Sequence, residues 1–180
     1  IMYDFDDELF NSLKERRQIV EGKISDAARL AGRNPDDVTL IGVSKVFPVE
    51  YAEAAVAGGL LDLGENRVQE LVPKHDRLEE LGLNPRWHLI GTLQKNKVKY
   101  IIGKTHLIHS VNTIDLAQEI SKRSVANNIV SDILIQANIS GEETKHGFSS
   151  EELDYALEQM SSLEGVRVRG LMTMAPIQEF

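Results

Sequence analysis

Cysteine is absent from all 180 residues, so disulfides and thiolate chemistry are excluded. Long hydrophobic runs are missing too: none approaches the roughly 18 apolar residues that suggest a membrane span. The opening "IMYDFDDELF" is acidic, unlike a secretory leader. Positive charge is scarce: 20 Lys and Arg against 28 Asp and Glu give a net charge of −8. That balance argues against broad, sequence-independent binding to nucleic acid. No glycine-rich dinucleotide fingerprint is present, and "GKT" at 103–105 fails as the end of a phosphate loop, because Val98 stands where that pattern needs glycine. The expectation left by these absences is a cytoplasmic protein with no nucleic-acid or membrane partner. It is also expected to be a monomer, since no long exposed apolar helix face demands a second copy.

The chain is 42% hydrophobic and 27% charged, which suffices for one domain with a real core. An amphipathic helix opens it, "DELFNSLKERRQIVEGKISDAARLAG", with Leu9, Leu13, Val20, Ile24 and Ala27 near one stripe. Six strands are then predicted at 38–45, 60–64, 86–90, 106–111, 133–139 and 166–174. Helices are predicted between them at 48–56, 66–81, 94–102, after Asn112 as N-cap, and from the Ser149/Glu152 capping box through 163. Strand starts recur about every 25 residues, a βα rhythm that implies a parallel sheet covered by helices. An open doubly wound sheet and a (β/α)8 TIM-type barrel compete. The even repeat without a dinucleotide fingerprint favours the barrel, with about six of its eight units visible.

The first strand, "VTLIGVSK", ends on a lysine. In either architecture chemistry gathers at the carboxyl ends of strands, and Lys45 stands at one. A partly desolvated lysine becomes a nucleophile able to form a Schiff base with a carbonyl. The plain alternative is a lysine that snorkels at the rim. Other strand ends add Asn66, His109, Ser110, Asn138 and Thr173, and a mouth of one lysine with several neutral hydrogen-bonding groups suits a polar, ring-shaped carbonyl ligand. Singly, each neutral group reads as a strand-end cap. Glu65 reads as a rim carboxylate, solvated or paired with a neighbour such as Arg67. His88 lies within its strand and reads as structural.

The segments "VSKVFP", "LGENRVQEL", "WHLIGTLQKNK", "HSVNT", "NISGEETKHGF" and "RGLMTM" follow in this order. Together they resemble the pyridoxal 5′-phosphate homeostasis protein family, single-domain barrels similar to the N-terminal domain of alanine racemase. The resemblance runs from about Asn34 onward. It implies pyridoxal 5′-phosphate as cofactor, held as a Schiff base on Lys45 of the "SK" segment, with Asn66 of "GEN" beside it. It implies custody of the cofactor in vitamin B6 and amino-acid balance without turnover, with pyridoxal phosphate-dependent apoenzymes as candidate recipients. The family also has two further strands that carry the phosphate cup, so no phosphate-binding residue is transferred. A continuation of about 50 residues, two more βα units, is expected.

A racemase-type enzyme is the alternative. It ranks below, because it needs a second base opposite the lysine, which alanine racemase takes from another domain and a dimer partner. A cofactor-free Schiff-base aldolase ranks below that, since only Glu65 and Lys45 could serve its proton relay. Weaker signals read as surface: Lys95, Lys97 and Lys99 as a solvated helix face, and Lys145 as a flexible loop cation. His146 is a loop histidine without a second ligand at recognisable spacing. His106 and His109, three apart, are expected on opposite faces of a strand and unable to share a metal.

Overall fold

The computed structural model describes residues 2–141 and 146–175, and the chain folds as two compact units. Of the described residues, the first comprises 2–65 and 73–87, the second 66–72, 88–141 and 146–175.

In the first unit, Asp6 caps helix α1 (Asp7–Leu30) by accepting the Leu9 N–H at 2.8 Å. Asp7 and Glu8 follow in its first turn, where the helix dipole favours anions. The anticipated stripe is only half realised. Leu9, Leu13 and Ile24 are half-buried, but Val20 and Ala27 are exposed, and Ala28 is the one buried residue. A 3₁₀ turn (Pro35–Asp37) leads into β1 (Gly42–Val43), much shorter than the 38–45 expected. Helix α2 (Val49–Ala57) stops where Gly58 and Gly59 take over, Gly59 at φ 106. Arg17 of α1 donates to the Gly58 carbonyl at 2.8 Å, docking one helix on the end of the other. Strand β2 (Asp62–Glu65) is buried at all four residues and pairs in parallel with β1, Gly42 opposite Leu63 and Val43 opposite Gly64.

Helix α3 (Val68–Glu80) runs through Pro73, and from that residue on it belongs to the first unit. Its Arg77 meets the fully buried Glu53 of α2 at 3.0 Å, while the other Glu53 oxygen accepts the Asp4 N–H at 2.9 Å. A buried carboxylate is tolerated because both its oxygens are paired. Strand β3 (Arg86–Leu89) begins with a guanidinium that grips Asp62 through two bonds of 2.8 and 2.7 Å.

In the second unit, the helix expected at 94–102 forms as a 3₁₀ turn (Lys95–Lys97) running into a short α4 (Val98–Ile101). Strand β4 (Leu107–Val111) follows. Helix α5 (Ile114–Ala126) is capped by Thr113, whose hydroxyl accepts the Leu116 N–H at 3.1 Å. The cap anticipated at Asn112 is thus one residue early. Strand β5 (Ser131–Gln136), helix α6 (Leu153–Ser161) and strand β6 (Val166–Met172) complete the unit. The carboxylate half of the capping box forms, Glu152 accepting the Ser149 N–H at 2.9 Å, though α6 starts only at Leu153.

The core of this unit gathers Ile108, Val111, Leu116, Ile120, Ile133, Ile135, Ala156 and Met160, all essentially inaccessible. Burying each large aliphatic side chain among them contributes about 1.5–3 kcal/mol. Ser121 and Gly165 add a close approach: the Ser121 hydroxyl accepts the Gly165 N–H at 2.9 Å, and the Ser121 backbone fills the place of a Cβ on Gly165.

The six strands form one sheet whose order, β1-β2-β3-β4-β5-β6, is the chain order. The paired registers are parallel. A doubly wound sheet reverses its order at a switch point. Among the described residues none occurs, and the fold is of the α/β TIM-barrel type. Among the described residues, β1 is bonded only to β2, and β6 only to β5. Val43 and Leu171 on these edge strands are 46% and 57% exposed.

Candidate functional site

Lys45 stands immediately after β1, in a turn, and its side chain is exposed. The partial desolvation anticipated for it is therefore not found. Among the described residues it has no ion-pair partner, so its amine is open to a ligand. The turn is closed by the Phe47 N–H on the Ser44 carbonyl at 3.1 Å, with Lys45 and Val46 in its centre. Val46 lies at φ 60, a left-handed conformation that β-branched residues adopt only under constraint. Phe47 packs against Tyr51 with ring centroids 5.0 Å apart.

A buried ion pair lies against the turn at Ser44. Glu65, anticipated at a solvated rim, is fully buried at the end of β2. Its partner is not the exposed Arg67 but Lys74 of α3, whose Nζ reaches Glu65 Oε1 at 2.6 Å and the Ser44 carbonyl at 2.7 Å. The Ser44 hydroxyl donates to the same Oε1 at 2.5 Å. Lys74 escaped the sequence reading. The available signal was Glu65 itself, since a carboxylate ending a four-residue buried strand needs a cation, and Lys74 is on the next helix.

Asn66 belongs to the second unit, half-buried in the bend after β2. Gly91 lies against it: a Cβ on Gly91 would stand 2.8 Å from Asn66 Cα and nearer still to its carbonyl oxygen. Thus Gly91 is glycine because the Asn66 backbone passes there.

Three histidines meet in the same unit. Buried His88 is within a hydrogen bond of His109, Nδ1 to Nε2 at 2.9 Å, one ring donating and the other accepting. The His88 ring also lies against those of His109 and His106, at 5.1 and 5.4 Å between centroids. β4 begins at Leu107, so His106 precedes the strand whose alternation was invoked for it. Burial, and then the charge His88 would carry, pushes His109 down to about 4.

The remaining residues take plainer roles. Ser110 donates to the Ile90 carbonyl at 3.0 Å, a strand-end cap. Asn138 accepts from the Ser140 hydroxyl at 3.1 Å. Thr173 is exposed beyond β6. Lys95 pairs with Asp115 at 2.7 Å on the surface, while Lys97 and Lys99 flank the Tyr100 ring. His146 is exposed, and Lys145 lies outside the described residues. Among the described residues, His75, Asp76 and Glu79 of α3 could bring ligand atoms within 4.8 Å of one another; His75 already bonds Asp76 at 2.9 Å.

An exposed primary amine, without an ion-pair partner among the described residues and borne on a hydrogen-bonded turn, has the chemistry to take an aldehyde. Comparison with known proteins points the same way. Residues 27–179 match the alanine racemase N-terminal domain. A pyridoxal phosphate homeostasis protein of Aquifex aeolicus is 46% identical over 92% of this chain and 72% of its own length. One from Pseudomonas aeruginosa is 37% identical over 91% and 70%. The solved structure of PipY from Synechococcus elongatus with pyridoxal phosphate bound superposes at a TM-score of 0.73. It has 33% identity and covers 87% of this chain and 72% of PipY.

Proposed function

Because the chain belongs to the alanine racemase N-terminal domain family, among its pyridoxal phosphate homeostasis proteins, we propose that it holds pyridoxal 5′-phosphate as a Schiff base on Lys45 and keeps the intracellular supply of that cofactor in balance. The observation that carries the assignment to Lys45 is its exposed amine at the carboxyl end of β1. The bound cofactor supplies an aldehyde carbon and an electron-poor ring. Lys45 would hold the group by condensing its amine with the aldehyde carbon, the aldehyde oxygen leaving as water. The turn 44–47 presents the amine, and the buried pair beneath it keeps a second lysine, Lys74, engaged elsewhere. Asn66 is the second cofactor-binding residue of this reading, supported by the resemblance of "GEN" to the family.

The protein's work in this reading is custody without turnover, in the cytoplasm and as a monomer. Its recipients are pyridoxal phosphate-dependent apoenzymes, to which an exposed carrier lysine is accessible. The test is borohydride reduction of the cofactor-loaded protein followed by peptide mapping. Label on Lys45, and loss of the visible absorption band in Lys45→Ala, are expected. Label on Lys95 or another lysine in the unmodified protein overturns the assignment. Incubating the loaded protein with L-amino acids and following their chirality separates custody from racemase activity, which would show as steady interconversion.

A further inference from the structure

Lys74 is 7% exposed, and its ammonium is divided between one carboxylate oxygen and one backbone carbonyl. A buried ion pair is seldom worth more to stability than apolar residues of the same volume. Stability alone therefore gives little reason for Lys74 and Glu65 to be there. What the pair supplies is direction. Glu65 Oε1 takes both the ammonium and the Ser44 hydroxyl, while Oε2 has no partner among the described residues. All of the pair's hydrogen bonding is thus aimed at Ser44. The Ser44 carbonyl receives two donors, the Lys74 ammonium and the Phe47 N–H that closes the turn. Within that turn Val46 is left-handed, a conformation that persists only where the surroundings over-determine it.

We propose, resting on the reading of Lys45 as the carrier, that Lys74 is a positioning residue. Anchored by Glu65, it pins the Ser44 carbonyl and holds the turn in the one conformation that offers the Lys45 amine to the cofactor aldehyde. The same arrangement selects between two lysines. Lys74 is committed to two acceptors inside the protein, and Lys45, without an ion-pair partner among the described residues, is left to react. No bond is made or broken at Lys74. Its contribution is alignment, and loss of alignment by about an ångström can cost up to a hundredfold in a reaction that requires it.

The experiment compares wild-type protein, Lys74→Met and the double variant Glu65→Met/Lys74→Met. Lys74→Met alone strands a buried carboxylate and lowers the melting temperature. The double variant removes both charges and recovers most of that loss. Amide exchange at Phe47 is followed in cofactor-free protein, and cofactor affinity by the visible band, with the attachment site mapped after borohydride. The expected result is Phe47 exchange about tenfold faster and affinity about tenfold weaker in both variants, including the double one whose melting temperature has recovered. A double variant that regains Phe47 protection and affinity along with its melting temperature overturns the role of Lys74 and leaves the carrier reading intact. Label on a lysine other than Lys45 in wild-type protein overturns the carrier reading, and the role of Lys74 with it.

Discussion

The backbone of Asn66 occupies the space that any side chain on Gly91 would need, Asn66 Cα and C standing 2.8 and 2.9 Å from the position of a Cβ there. Position 91 is therefore confined to glycine whatever residue stands at 66. Gly91→Ala must displace the bend that carries Asn66, because the obstacle is backbone rather than the end of a flexible side chain. Overpacking of this kind costs about 1–3 kcal/mol. Urea unfolding should show a lower midpoint, and cofactor titration a weaker complex.

Asn66 and His88 should separate by phenotype. Asn66 is half-buried in a bend, whereas His88 is 3% exposed and hydrogen-bonded to His109. Asn66→Ala should weaken the cofactor complex and leave the melting temperature within about a degree or two, as surface changes within ±0.5 kcal/mol do. His88→Ala leaves a cavity and an unpaired ring, and should cost about 2–4 kcal/mol of stability. Equal melting losses in the two variants would remove the distinction.

Val46 is 82% exposed at φ 60. Its side chain gives the fold little contact and imposes a conformational penalty of about 1–2 kcal/mol. Val46→Gly removes that penalty at an entropic cost of about 0.5–1 kcal/mol. The net effect should be neutral to slightly stabilising, and Val46→Asn should do as well. Denaturant midpoints measure both. A clear loss in each would mean that the Val46 side chain has a stabilising contact.

His109 makes stability depend on pH with a definite sign. Its ordinary value of 6.5 falls to about 4 in the folded protein, through burial first and His88 second. Between those values the unfolded chain takes up a proton that the folded one refuses. The contribution is complete above about pH 6.5 and is lost as pH falls towards 4. Wild type should therefore lose more melting temperature than His109→Gln between pH 7.5 and 4.5. Carboxylates titrate in both proteins, so the difference isolates the histidine. Parallel curves would contradict the assignment.

The number, order and direction of these six strands were readable because apolar stretches set off by Gly, Pro or a helix cap recur with a βα rhythm, although β2 (DLGE) and β3 (RWHL) carry charged residues themselves. Their extents were less so, since a strand exists only where it has a partner. Residues 38–41 have strand composition, yet β1 pairs with β2 only through Gly42 and Val43. Lys45 and Asn66 could be singled out as strand-end residues within known segments. Lys74 could not, because helical periodicity does not reveal which polar residue points inward to meet a buried Glu65. The histidine cluster was hidden for a related reason: it depends on how β3 and β4 are staggered, His88 opposite Leu107, and no spacing along the chain gives that register.

Strand order that repeats chain order has a consequence for biosynthesis. Each strand from β2 to β6 pairs with the one made just before it, so none has to wait for a later segment to provide its neighbour. In a sheet with a switch point, by contrast, some strands emerge before the partner they need. Here the nascent chain can add one βα unit after another to an existing edge, with about 25 residues between contacts rather than the whole domain, a separation that favours rapid pairing. The growing edge at any moment is a single strand, and each unit through β6 covers the edge left by the one before it, while β1 keeps the opposite edge of the sheet.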